Sequence, residues 1–394
     1  MELGSYVAAP TAGRLLAAFG ADVLKIERPG AGDESRQWHT SGGNTSLLWR
    51  SLGRGKRSVT VDLREPEGRD LVLALAARSD VVLEGFRPGT LERLGLGPEE
   101  LAAASPGVIL VRLSGFGQDG PYRDRAGFGS VAEAMGGLRF LTGYPDRPPT
   151  RVGVALGDSV AGIYAALGTV LALLGRERNR REPDGRPAET VDVALYEAVY
   201  SLLDSVVAEF DAFGAVRQRT GPTIAGVVPS NGYECADGYV VIAANADAVF
   251  ARLARAIGRP EMGKEPRYAG AEARAAAGDE IDAVIAEWTG KRTQDEVMSA
   301  MAEAGVPATP IYDAADIAAD PHFTARAAHE RHEVRIDGQP VPVRFPAPVP
   351  RLSRHPAGTG WAGPELGEHT RQVLTEVLGL TEEDLGRLAG GGVI

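Results

Sequence analysis

Short runs of β-branched and aliphatic residues alternate with stretches of helical periodicity through the first half of this chain, and that alternation leaves few folds open. Residues 23–27 (VLKIE), 59–63 (VTVDL), 81–83 (VVL), 108–113 (VILVRL) and 191–195 (VDVAL) read as buried-type strands. Between them, residues 11–19 and 68–78 carry apolar side chains at helical spacing, and Gly20 stops the first of these helices. Strands separated by helices pair in parallel and need cover on both faces. The expectation is therefore an α/β fold with a doubly wound, mostly parallel sheet. Glu2-Leu3-Gly4 is a stub of strand opening the first β-α-β unit. The turn after it, LGSYVAAPTAG, lacks the G-x-G-x-x-G spacing that brings a dinucleotide pyrophosphate onto a helix N-terminus, which disfavours NAD and flavin.

The chain has 394 residues, too many for one ordinary core, and its 44% hydrophobic content is enough to fill two. The predicted organisation is a large domain over residues 1–200, a linker over 201–229, a small α+β domain over 230–325 and a return segment over 326–394 that packs on the large domain. Residues 217–229 contain Gly and Pro without periodicity, and residues 233–244 read as a hairpin around Ala236-Asp237-Gly238. Thr293 with Glu296 forms a capping-box pattern for a helix that stops at Gly305. A net charge of −11 argues against nucleic acid as a partner. The single cysteine, Cys235, excludes a disulfide framework and a cysteine zinc site, and His322, His329, His332, His355 and His369 show no metal-ligand spacing. No signal-peptide pattern opens the chain, and no apolar run reaches the ~18 residues of a membrane span, so a cytoplasmic protein without a membrane partner is expected.

The chemistry is concentrated in residues 148–168, PPTRVGVALGDSVAGIYAALG. Residues 152–156 read as a short strand, Gly157 as a turn, and Val160, Ile163, Tyr164 and Leu167 as a helix face, which puts Asp158 where strand hands over to helix. A carboxylate there meets unpaired backbone N–H groups and the positive end of the helix dipole. It is either a simple N-cap or an anchored nucleophile, and the two roles are compatible. Arg54, Lys56 and Arg57 stand on a Gly-containing loop that either grips phosphates or is a solvated charge run. Glu84-Gly85-Phe86-Arg87 is a turn that offers an aromatic and a cation together, a surface on which adenine stacks.

Seven stretches, in order over almost the whole chain, resemble the class III CoA-transferases, with the 2-methylacyl-CoA racemases as a sister branch. They are AGRLLAAFGADVLKIERPGAGDESR (12–36), GRGKRSVTVDL (53–63), EGFRPGTLERLGLG (84–97), GDSVAGIYAALG (157–168), VDVALYEAV (191–199), GVPATPIYDAADIAADPHF (305–323) and LGEHTRQVL (366–374). The resemblance implies a Rossmann-like large domain with a smaller α+β domain in an interlocked homodimer, with coenzyme A as substrate and no metal. It implies that Asp158 is the nucleophile, that Arg28, Phe86 with its neighbour Gly85, and Arg93 contact CoA, and that Val61, Asp62, Leu63 and Arg64 supply backbone around the adenine. Arg54 and Lys56 are added from charge alone. Residues 226–232 are the expected lid, and backbone N–H groups near Gly157 the expected oxyanion donors. Members of the family carry several more residues before the position of Leu3, so the first strand is expected to be short.

Two departures narrow the activity. Racemases pair the aspartate with an upstream histidine, because moving a proton between two faces of a carbon needs a second acid/base. Phe128 stands at that place, and it carries no proton. Formyl-CoA transferases orient their very small substrates with a glutamine and a glutamate, where this chain has Val7 and Gly129. The space expected at Val7 and Gly129 suits a C4–C5 dicarboxylate such as succinate, mesaconate, itaconate or citramalate, with Tyr6, Arg36 and His39 facing the acyl tail or the surface. The expected reaction is transfer of CoA from an acyl-CoA to a free acid through an aspartyl anhydride and an aspartyl-CoA thioester. The alternatives are a racemase-type isomerase and a CoA-binding protein without catalysis.

Overall fold

Five short strands, β1 (Val23–Glu27), β2 (Lys56–Thr60), β3 (Val81–Glu84), β4 (Ile109–Ser114) and β5 (Glu189–Ala194), all pair in parallel in the computed structural model, which describes residues 1–38, 45–179 and 189–394. The pairs β1–β2 and β3–β4–β5 are joined by the first residues of the chain. Glu2 bridges to both Lys25 and Leu83 in parallel, and Glu2 N–H donates to Leu24 O (2.8 Å) while Leu3 N–H donates to Leu83 O (2.7 Å). The spatial order is therefore β2, β1, residues 1–3, β3, β4, β5. Numbered along the chain with residues 1–3 first, it reads 3-2-1-4-5-6. The stub is an interior strand, and the winding reverses between it and β3.

At such a reversal the two neighbouring strands send their following loops apart and leave a crevice at their carboxyl ends. Here the backbones at Gly4 and Gly85 approach so closely that a Cβ on Gly4 would lie 2.2 Å from Ala9 Cβ and 3.2 Å from Gly85 N. Only glycine lets the chain enter the crevice from both sides.

Both sheet faces are covered. On one, Leu24, Ile26, Val59, Val82 and Leu110 pack with Leu71, Val72 and Leu75 and with Val373, Leu374, Leu385 and Leu388 of the C-terminal helices. On the other, Leu83, Ile109, Val111 and Leu113 pack against alanines of α1 (Ala8–Ala18) and of a long helix, and a shorter helix, α2 (Gly129–Met135), adds Ala132. The long helix, α3 (Leu156–Asn179), has 24 residues, and Ala161, Ala165 and Ala172 form its buried stripe, whose small side chains bring helix and sheet close. α4 (Leu195–Tyr200) completes that layer with Leu195 and Ala198.

Several sequence expectations move. β2 begins three residues earlier than the hydrophobic pattern suggests, which places Lys56 inside the strand. Residues 152–156 form no strand, and α3 starts at Leu156. The helix expected to run on from Tyr196 breaks after α4, where Asp204 takes a positive φ of 46°. α3 is also long and apolar enough, by length and composition, to cross a membrane, contrary to the reading that no such run exists, yet its alanine stripe belongs to the core beside the sheet.

The chain divides into two compact units, one of Met1–Leu138, Val152–Ala208 and Thr324–Ile394, the other of Arg139–Arg151 and Glu209–Phe323. In the second, β6 (Ser230–Cys235), β7 (Gly238–Ala243) and β8 (Ala308–Pro310) pair antiparallel around Tyr233, Val240, Ile242, Phe250, Ile281 and Val297. Thr293 and Glu296 make the reciprocal cap the sequence announces. In the first unit, the hairpin of β9 (His329–Ile336) and β10 (Gln339–Pro346) precedes a tail that binds β2 and its following loop: Thr60 N–H donates to Thr370 Oγ1 (2.9 Å) and Asp62 N–H to Val393 O (2.8 Å).

Beneath the crevice lies a buried ionic cluster. Lys25 Nζ is 2.7 Å from Asp33 and 3.1 Å from Glu2, and Lys56 Nζ is 2.7 Å from the other oxygen of Glu2. Burial alone would lower the Lys25 pKa, but the charges of Asp33, Glu2 and Glu27 raise it. Burial prevails at Lys56, whose pKa falls to about 8.

Candidate active site

Asp158 is the third residue of α3 and lies in its first turn, so the dipole of a 24-residue helix favours its ionised form. It is not the N-cap, because the helix begins two residues before it. Its carboxylate rests against the bare Cα of Gly129, the first residue of α2. A Cβ on Gly129 would fall 1.9 Å from Asp158 Oδ2 and 2.5 Å from Cγ. The room expected at Gly129 for a larger acyl group is thus taken by the nucleophile candidate itself. Gly157 N–H, expected as an oxyanion donor, already donates to Glu133 Oε1 at 3.2 Å.

A cavity of about 450 Å³ opens at Asp158, lined by Tyr6, Gly85, Phe86, Arg87, Gly115 and Phe128 among others. Phe128 and Tyr6 meet edge-on with centroids 5.6 Å apart, and Tyr6 also tilts against Trp38 at 5.3 Å. Tyr6 has φ +68°, a strained conformation for a bulky side chain. Asp33 holds it there, accepting from Tyr6 N–H at 3.2 Å while its other oxygen pairs with Lys25. The ionic cluster under the crevice therefore shapes the cavity wall. Val7, expected on the substrate side, is buried and does not line the cavity. Arg36 is engaged by Glu27 and stacks 3.8 Å over Trp49, and His39 lies outside the described residues.

A second cavity, of about 220 Å³, shares Ser5, Glu34 and Phe86 with the first, and its far wall is made by Arg28, Val61, Asp62, Leu63, Arg64 and Leu94. The structure thus brings Asp158, Phe128, Gly85, Phe86, Arg28 and residues 61–64 onto one groove that crosses the sheet reversal. Arg28 is exposed and has the field of Asp62 nearby; Arg64 Nε donates to Asp62 Oδ1 at 2.9 Å. That hydrogen bond is the main reason the Asp62 carboxyl sits below its ordinary range.

Three proposed contacts fall elsewhere. Arg93 is exposed, donates to Thr90 Oγ1 at 2.8 Å and lines neither cavity. Arg54 is 1% exposed, bonded to Glu330 and Pro346 O at 2.9 Å each, and Lys56 is fully buried on Glu2 and Pro10 O. What reads as a cationic loop is a set of internal ion pairs, since long cations are buried where a carboxylate awaits them. Ser230 to Gly232 of the expected lid open β6. Sequence reasoning missed Glu133 altogether. Its signal was a carboxylate one helical turn after Gly129 on an otherwise small-residue helix. Among the described residues no group of three His, Cys, Asp or Glu side chains is arranged to hold a metal ion.

The geometry has counterparts. Residues 1–370 match the model of CoA-transferase family III. The chain is 49% identical over 401 residues to the succinyl-CoA–D-citramalate CoA-transferase of Chloroflexus aurantiacus, covering 100% of this chain and 96% of that one. It is 33% identical to the succinyl-CoA:mesaconate CoA-transferase of Haloarcula marismortui, over 95% of this chain and 94% of the other. The crystal structure of a CAIB/BAIF family protein from Brucella suis superimposes with a TM-score of 0.83 at 34% identity, covering 95% and 97% of the two chains. A groove at a sheet reversal that ends on a helix-anchored aspartate, in a chain matched over nearly its full length, makes this protein an enzyme of the CoA-transferase family III.

Proposed function

We propose that this enzyme moves CoA between C4–C5 dicarboxylic acids, with succinyl-CoA as donor and a citramalate- or mesaconate-like acid as acceptor, and that Asp158 carries the acyl group and then the CoA. The observation that carries the reading is the position of Asp158 at one end of a groove whose other end, at Val61–Arg64 and Arg28, suits an adenine and its phosphates. Phe86, common to both cavities, stands where the pantetheine arm would pass. The names of the relatives, each a transferase of dicarboxylic acids, support the substrate class.

The steps balance without ATP, metal or net proton transfer. An Asp158 oxygen attacks the thioester carbonyl, the C–S bond breaks, and CoA thiolate leaves a mixed anhydride. The thiolate attacks the Asp158 carbonyl of that anhydride, releasing the donor acid and forming an aspartyl-CoA thioester. The acceptor carboxylate attacks this thioester and expels the thiolate, which then attacks the acceptor carbonyl and frees Asp158. Asp158 must be ionised at the start, as the dipole of α3 favours.

The same reading carries a Rossmann-like, doubly wound large domain, supported by the 3-2-1-4-5-6 order. It carries a cytoplasmic homodimer as well, supported by the exposed stripe Ile163, Leu167, Val170, Leu171 and Leu174 along α3, opposite the alanines.

The test is intact-protein mass spectrometry of wild type and Asp158→Ala after incubation with succinyl-CoA, with hydroxylamine trapping. A labile adduct and a hydroxamate at residue 158, both missing from the variant, are expected. Adducts of equal yield on the variant would remove Asp158 from the reaction.

A further inference from the structure

The nucleophile's neighbour in sequence is fastened by a side chain from another helix. Glu133 is 2% exposed, and its Oε1 accepts from Gly157 N–H at 3.2 Å. Gly157 is in the first turn of α3, where backbone N–H groups have no partner within the helix. Glu133 thus caps α3 from α2, 24 residues away. Its Cγ is also 3.1 Å from the point a Cβ on Gly157 would occupy, so the side chain bears directly on the backbone.

One turn earlier on α2, Gly129 touches the carboxylate of Asp158. Residues four apart share a helix face. The two helices are therefore registered at two points, Gly129 on Asp158 and Glu133 on Gly157, and α2 cannot slide along α3 without breaking one of them. A carboxylate is buried at a cost unless hydrogen bonds satisfy it, and Gly157 N–H supplies one.

Building on the reading of Asp158 as nucleophile, we infer that Glu133 is a positioning residue for acyl transfer: by accepting from Gly157 N–H it holds the Asp158 carboxylate at the angle from which it attacks the thioester. What the role requires is an acceptor oxygen at full reach, and charge is secondary. Glutamine keeps such an oxygen. Aspartate keeps the charge but is shorter by one C–C bond of about 1.5 Å, enough to break a bond already at 3.2 Å.

The experiment measures single-turnover adduct formation from succinyl-CoA, together with kcat, KM and melting temperature, for wild type, Glu133→Gln, Glu133→Asp, Glu133→Ala and Asp158→Ala. Glu133→Asp and Glu133→Ala should slow acylation roughly tenfold to a hundredfold with KM for succinyl-CoA little changed. Glu133→Gln should restore the rate to within about threefold, the residual expected of an equivalent neutral acceptor. Wild-type rates in Glu133→Asp, or a Glu133→Gln as slow as Glu133→Ala while still folded, would overturn the inference. If Asp158→Ala acquires the adduct, the failure lies in the nucleophile itself; if it does not and all Glu133 variants react normally, the failure is that of the latch alone.

Discussion

A methyl group decides whether the carboxylate of Asp158 can occupy its place. Gly129→Ala would set a carbon 1.9 Å from Oδ2, far inside contact distance, so the carboxylate must rotate away. The expected outcome is a loss in kcat of about a hundredfold, with CoA affinity and melting temperature nearly unchanged, read by steady-state kinetics and a CoA titration. A variant with normal kcat would show that the carboxylate does not react from this pose. Asp158 was legible in the sequence because Gly-Asp at a helix start is a local pattern. The contacts that orient it were not. Gly129 and Glu133 lie 29 and 25 positions before it (158 − 129 and 158 − 133), and only the crossing of two helices brings them to it. Gly129 read as open space for the same reason: a sequence shows that a side chain is missing and not what fills the gap.

Among the elements, β1 and the segment after it carry the largest electrostatic stake. Asp33 and Glu27 are buried, which by itself raises a carboxyl pKa, yet Lys25 for the first and Arg36 for the second hold both below their ordinary values of 3.8 and 4.5. A carboxylate depressed in the folded state contributes stability fully present above the unfolded value and lost as pH falls through the folded one. The melting temperature should therefore be flat from neutral pH down to about 4.5 and fall steeply below it. Asp33→Asn, leaving Lys25 with Glu2 alone, should cost about 3 kcal/mol at neutral pH and make the acid limb shallower. Thermal scans from pH 7 to pH 3 check this, and parallel limbs for the two proteins would contradict it. Elements with strong periodicity or explicit caps were legible, as in the helix Thr370–Leu378 and the Thr293 box. β2 was misplaced because Lys56 reads as a surface charge until Glu2 is seen beside it. Residues 152–156 read as a strand because a short apolar run has no period of its own.

For the molecule as a whole, α3 has one stripe committed to the core and the opposite one exposed, from Ile163 to Leu174. The proposed dimer covers that stripe. Leu167→Glu combined with Leu171→Glu should shift sedimentation from dimer to monomer, with circular dichroism retained, because both side chains are exposed in the single chain. A wild-type protein that sediments as a monomer would sink the proposal. The sheet as a class was legible from its alternation of strands and helices, but not the rank of residues 1–3 within it, since three residues carry no pattern.

The strand pairing and the tail also set an order of events during synthesis. Residues 1–3 leave the ribosome first yet bond on one side to residue 24 and on the other to residue 83. The loop at Asp62 receives the Val393 carbonyl only when the last stretch has emerged. A nascent chain can collect its helices along the way, but the groove is fastened at both ends only after translation has nearly finished. Until then this enzyme is held open by its own unfinished polypeptide.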